Sequence, residues 1–295
     1  MAPELLDHLR PVTAPPGRPW LRTLDDPAVG VVRQFGQLRE EPGARTLLLV
    51  VHGLGGMPTS PYCRRIARRA SARGWSCLRL AMRGSTGDGD DLYHAGLDSD
   101  LAHALDDPYL AGYERVLVMG YSLGGHLALR HGLHPHPRVR AIAAISAPLD
   151  LEQSCRAIDR HRAWVYRTVV LRELKACYRQ IASRRSLPTP TPQIRRVRTI
   201  REWDRLAVVP RFGFADVRDY YQRASVGPRL AQLRVPCLYL GMDHDPMVPA
   251  FTVQPSLSAA PEGRLERRWL DHGGHINAPG AWEDDVLDWL DRRGR

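Results

Sequence analysis

The sequence predicts a doubly wound α/β domain: a mostly parallel central sheet flanked by helices and interrupted by one helical insertion. Three observations carry that expectation. Short, unbroken apolar runs recur along the chain, segments of helix length lie between them, and the rhythm stops from about residue 150 to 230 before it resumes. Strand, helix, strand in repetition calls for a parallel sheet covered on both faces, where strands lose the in-out alternation of a half-exposed sheet.

The elements follow in order. A divergent pair of strands near "PWLRTL" and "VGVVRQFG" is expected at the first edge of the sheet. "TLLLVV" (46–51), "WSCLRLA" (75–81), "RVLVMG" (115–120) and "VRAIAAIS" (139–146) read as buried parallel strands, and "VPCLYLGM" (235–242) and "RLERRWL" (264–270) continue the series. Between the first two buried strands, "PYCRRIARRASARG" places Tyr62, Ile66 and Ala70 on one helical face and stops at Gly74. The stretch from Leu151 to Arg185 is long and amphipathic. The connector "SLPTPTPQ" and the segment "IREWDRLAVVPRFGFADVRDYYQRAS" follow it. The expected division is therefore a core over 1–149, a helical cap or lid over 150–230, and the rest of the core over 231–295. No internal repeat or heptad pattern is visible.

Composition narrows the class. With 43% hydrophobic and 25% charged residues among 295, the chain resembles an ordinary soluble globular protein. No apolar run is long enough to span a bilayer, and the first twenty residues lack the basic and apolar regions of a secretory signal. The 5 cysteines are scattered without a CxxC pair, which points to reduced thiols and a cytoplasmic setting rather than a disulfide frame or zinc site. The net charge of +10 is almost wholly arginine, Lys175 being the only lysine. Clusters such as "CRRIARRASARG" read first as solvated helix faces. Weak contact with an anionic membrane surface through that helix and the insertion is a lesser reading. No nucleic-acid-binding motif accompanies them.

The chemistry gathers around "VLVMGYSLGGHLAL" (116–129), where a buried strand runs into Gly120-Tyr121-Ser122-Leu123-Gly124-Gly125 and then a helix. A glycine-rich turn with Ser122 as a simple cap would be the plain explanation. The strand-to-helix context favours a nucleophile elbow instead. There the serine takes strained backbone geometry, and bare Cα positions let strand and helix close together. A serine hydroxyl needs a base, and the oxyanion it forms needs donors. The Leu123 N–H at the helix start is one donor. "TLLLVVHGLGG" ends a buried strand in His52-Gly53-Leu54-Gly55-Gly56 and offers the Leu54 N–H as the second. His52 itself reads as a brace for the loop.

Acid and base are expected after the serine, acid first. "WLDHGGHINAPG" offers His272 and His275, and the glycine pair favours His275. "YLGMDHDPMVP" offers Asp243 and Asp245; Asp245 leads because a proline and a hydrophobic pair follow it, with Asp243 in reserve and Asp150 a third candidate. The acid would hold the imidazole tautomer and stabilise imidazolium.

On HGLGG, GYSLGG, DHDPMVP and GGH in this order, the chain resembles the α/β-hydrolase superfamily. On "RGSTGDGDDLYHAGLDSDL" (83–101), "SAPLDLEQS" and "REWDRLAVVPRFGFADVRDYYQRAS" it resembles the YheT-like branch. The likeness spans about residues 25 to 290 and departs at "GMDHDP", where this branch more often has an alanine-containing "DDP". It implies the α/β-hydrolase fold with a helical cap and a serine hydrolase acting on small-molecule carboxylic esters. Ser122, His275 and Asp245 would form the triad, and no metal or organic cofactor would be required. Acyl transfer or thioester cleavage from the same acyl-enzyme is the enzymatic rival, and a non-catalytic binding protein of the same fold is the rival of another class. His94 reads as a polar anchor and "RHGLHPHPR" as a surface loop. "RGSTGDGD" lacks the spacing of any phosphate-binding loop.

Overall fold

The computed structural model describes residues 17–27, 29–87, 89–160, 163–261 and 263–295. Residues 1–16, which hold most of the segment read as lacking a signal, lie outside the described residues. Eight strands form one sheet in the order β1-β2-β4-β3-β5-β6-β7-β8. They are β1 (Arg18–Asp26), β2 (Gly30–Arg39), β3 (Thr46–Val51), β4 (Ser76–Leu80), β5 (Arg115–Tyr121), β6 (Val139–Ile145), β7 (Cys237–Met242) and β8 (Leu265–Leu270). The first two strands pair antiparallel with each other, and β2 pairs antiparallel with β4; every later pairing is parallel. β3, β5 and β7 are buried along their full lengths except for the first residue of β5, as strands covered on both faces must be.

One face carries α1 (Pro61–Ala72) and the C-terminal helix Trp282–Arg293; the other carries α2 (Ser99–Leu105) and α3 (Leu123–His131). α1 begins with Pro61 at its first position and buries Cys63, Ile66, Ala67 and Ala70. Its arginines turn toward the C-terminal helix: Arg65 and Arg69 meet the buried Glu283, and Arg73 reaches Asp284 and Asp288 at 2.9 Å each. Much of the charge read as a solvated face is thus neutralised by carboxylates.

Between β6 and β7 the chain forms α4 (Leu151–Ile158), α5 (Trp164–Ala182), α6 (Thr191–Arg196), α7 (Ile200–Trp203), α8 (Val209–Phe212) and α9 (Val217–Ala224). A π-helical turn, Asp204–Val208, joins α7 to α8. These helices lie over the carboxyl end of the sheet and are fastened by buried polar contacts. Asp91, fully buried in the loop after β4, accepts from Arg185 at 2.7 Å and from Arg211 at 2.5 Å. His126 of α3 sets one ring nitrogen 2.7 Å from the Pro148 carbonyl and the other 3.0 Å from that of Ala224, at the end of α9. Burial lowers this imidazole to about 4, so it is neutral and donates to one carbonyl at a time.

Candidate active site

Ser122 follows β5 directly and precedes α3. Its φ of 51° and ψ of −120° lie where an L-residue is strained, as an elbow requires. Neighbouring glycines make the turn feasible. A Cβ on Gly120 would strike the Gly124 carbonyl, and one on Gly124 would strike the carbonyls of Val51 and His52. The elbow is therefore packed against the end of β3, which brings the HGLGG loop beside the serine.

That loop is held from three sides. The Tyr62 hydroxyl accepts from Gly53 N–H at 3.0 Å, and the Tyr93 hydroxyl accepts from Gly55 N–H at 2.9 Å. His52 is fully buried; its Nδ1 donates to the Gly53 carbonyl at 2.8 Å while its Nε2 accepts from Met82 N–H at 3.0 Å. Burial lowers His52 to about 4, which keeps it neutral in this bracing arrangement. Leu54, between the two tyrosine-tied glycines, lines the same cavity as Ser122 and Leu123.

Asp245 and His275 meet although they come from separate loops after β7 and β8. His275 Nδ1 donates to the carboxylate at 2.8 and 2.9 Å, and both residues are 4% exposed. The carboxylate is also fixed by the backbone: its Oδ1 accepts from Met247 N–H at 2.8 Å and from Val248 N–H at 2.9 Å. His275 Nε2 is buried and has no hydrogen-bond partner among the described residues, so no bond from Ser122 closes the relay in this structure. Nucleophile and base often draw together only when substrate arrives. The reserve residues stand apart. Asp243 is exposed, Asp150 caps α4 through Gln153 N–H, and His272 lies in solvent against Asp271.

Ser122 opens on a cavity of about 100 Å³ lined mainly by apolar side chains, among them Leu151, Ile158, Trp203, Met247 and Val248. Several of its residues had no role in the sequence. His94 does brace its loop, accepting from Gly96 N–H at 3.0 Å, but it also lines the cavity against Phe212 at 4.4 Å. Burial lowers it to about 3. Asp204 and Tyr221 join in the cavity wall at 2.5 Å. Nothing in the local sequence marks Asp204 as buried, because its burial comes from helices packed around it. The histidine-rich "RHGLHPHPR" segment also differs from a plain surface loop: His131 is buried and its Nε2 accepts from His136 N–H at 3.1 Å. No cluster fit to hold a metal occurs among the described residues.

The fold and the strained serine turn define the class of protein, an α/β hydrolase. Residues 5–289 match the model of the alpha/beta hydrolase family. The chain is 32% identical over 263 residues to "Putative esterase YheT" of Escherichia coli, which spans 82% of this chain and 76% of that one. It belongs to the alpha/beta hydrolase family, in its YheT-like branch. The monoacylglycerol lipase of Saccharomyces cerevisiae is 25% identical over 70% of this chain, which spans about half (49%) of the lipase. Among solved structures, the Pyrococcus furiosus esterase Pf2001 superposes with a TM-score of 0.62 at 15% identity, over 95% of this chain and 92% of that one. That last likeness is one of fold. Among the described residues no helix is long and apolar enough to cross a membrane.

Proposed function

We propose that the protein is a serine hydrolase of carboxylic esters, working through Ser122, His275 and Asp245 beneath a helical cap formed by residues 150 to 230. The observation that carries this reading is the buried Asp245–His275 pair, whose Nε2 has no hydrogen-bond partner among the described residues. A buried polar atom left unpaired costs stability, and a proton-accepting role gives it a use.

In the proposed reaction, Ser122 Oγ attacks the ester carbonyl as its proton passes to His275 Nε2. The imidazolium is stabilised by Asp245, whose geometry is already fixed by two backbone N–H groups. The backbone N–H groups of Leu54 and Leu123 donate to the oxyanion. His275 then protonates the leaving alcohol, and an acyl group remains on Ser122. Water deprotonated by the same imidazole attacks that acyl group and releases the acid. The apolar cavity supports an acyl or similarly apolar group as the lodged part of the substrate. The names of the bacterial and yeast relatives support the ester class. Five buried free thiols accord with a reducing, cytoplasmic setting.

A fluorophosphonate probe tests the nucleophile: intact-mass and peptide analysis should place one adduct on Ser122, and its absence from folded protein would favour a binding role. Product analysis with added alcohols or acyl-thioesters separates hydrolysis from acyl transfer and thioester cleavage.

A further inference from the structure

The cavity beside Ser122 is apolar except for a few polar groups, and two of them, in the cap, have unmet hydrogen-bonding capacity. Asp204 begins the π-helical turn Asp204–Val208, and such turns push residues out of the regular helical ladder and recur at functional positions. The residue is 7% exposed. One oxygen accepts from the Tyr221 hydroxyl at 2.5 Å, and the other has no partner among the described residues. Ser154 of α4 lines the same cavity at 9% exposure, and its Oγ has no partner either.

Anchoring Tyr221 needs one acceptor, and Asp204 supplies two. A half-used carboxyl and an idle hydroxyl in an apolar cavity both disfavour the empty folded state until a ligand provides the missing partners. Burial also raises the Asp204 carboxyl to about 7 against the opposing pull of Tyr221 and Arg201. A ligand hydroxyl has the chemistry that each group lacks: it can donate to the free Asp204 oxygen and accept from Ser154 Oγ–H.

We propose that Asp204 and Ser154 form a hydroxyl-binding subsite, and that the preferred esters carry a free hydroxyl on the part lodged in the cavity. This rests on the reading of Ser122 as nucleophile and sharpens it to a substrate class. The hydroxyl can belong to the acyl chain or to the alcohol, and the two sources are separable. A site built to bond a hydroxyl discriminates strongly against the analogue lacking it, because its own polar groups are then left unpaired.

The test compares matched ester pairs. In the acyl arm, para-nitrophenyl hexanoates hydroxylated at successive carbons are set against the plain hexanoate; in the alcohol arm, hydroxyethyl hexanoate is set against ethyl hexanoate. Wild-type kcat/KM should favour at least one hydroxylated ester by about 10-fold or more, a modest discrimination for a polar site. Ser154→Ala, and separately the double change Asp204→Leu with Tyr221→Phe, should bring that ratio close to one. The double change removes both partners of the buried bond together and so leaves no orphaned hydroxyl. If it fails to fold, Ser154→Ala still decides the question. Calorimetry of the same esters on Ser122→Ala reads binding without turnover. A hydroxyl preference in binding with no wild-type turnover would keep the subsite and sink the esterase reading. Turnover with no hydroxyl preference in either arm, or a preference unchanged in the variants, would overturn the subsite. So would esters that neither bind nor react.

Discussion

The sheet and the helices inserted between β6 and β7 share one apolar core but differ in how their sequence positions them. The central strands are nearly pure apolar sequence, and their positions follow from burial on both faces. The inserted helices share the apolar core on one face of that frame through Leu171, Leu174, Ile181 and Tyr220, and buried polar contacts pin them further: Asp91 under Arg185 and Arg211, and His126 between Pro148 and Ala224. The difference teaches where each property resides. The sheet and its loops hold Ser122, Asp245 and His275 in place, while the cap shapes the cavity that would select a substrate. Changes in the sheet should abolish activity or folding, and changes in the cap should move stability and selectivity.

The largest expected effect is in the core loop. Asp245→Asn keeps the shape but can no longer hold the correct His275 tautomer, and kcat should fall about 10⁴-fold in ester hydrolysis. Gly124→Ala comes next. Its methyl group would enter the carbonyls of Val51 and His52, and urea denaturation should show a loss of about 4 kcal/mol or an insoluble protein. At the seam, Asp91→Ala should cost about 3 kcal/mol, near the lower edge for a broken buried ion pair because both arginines retain some solvent. A loss below half a kcal/mol there would mean that the cap is held by other contacts.

A smaller effect is set by pH. Asp204 keeps its proton to about 7 in the folded chain, whereas the unfolded chain releases it near the ordinary carboxyl value of 3.8. Ionisation is thus disfavoured by folding, and its penalty grows as pH rises from about 4 through 7. Tyr221 lowers the group through its hydrogen bond, Asp159 opposes ionisation, and Arg201 favours it. Asp204→Asn should accordingly raise Tm relative to wild type more at pH 8 than at pH 5; equal shifts at both would contradict the assignment. The smallest effect is expected on the outer cap surface, where Trp164 is 53% exposed. Trp164→Ser should change stability by about half a kcal/mol or less in the same denaturation experiment.

Legibility followed the same division. β3 and β5 were visible because four or five consecutive apolar residues, bounded by turn signals, fit a doubly covered strand. The divergent first pair was placed at the correct edge, with β1 outermost. Ser122 was conspicuous because glycines at fixed spacing follow an apolar run. The pairing of Asp245 with His275 needed the pattern of the whole loop, since the two lie 30 residues apart. The cap's contacts were not legible. Asp91 and Arg211 are ordinary charged residues in sequence, and only the return of the chain buries one against the other. Asp204 looks like a solvated helix residue, and the π-helical turn that begins at it has no local signature. His126 is unmarked within the elbow helix because its acceptors, Pro148 and Ala224, are backbone carbonyls carrying no sequence signal.

The central claim is that Ser122 is the nucleophile served by His275. Steady-state hydrolysis of para-nitrophenyl butyrate by wild type and Ser122→Ala, with folding checked by circular dichroism, tests it most directly. The account predicts that wild type turns the ester over and that Ser122→Ala loses at least about 10³-fold in kcat. A folded Ser122→Ala protein that keeps the wild-type rate would contradict it.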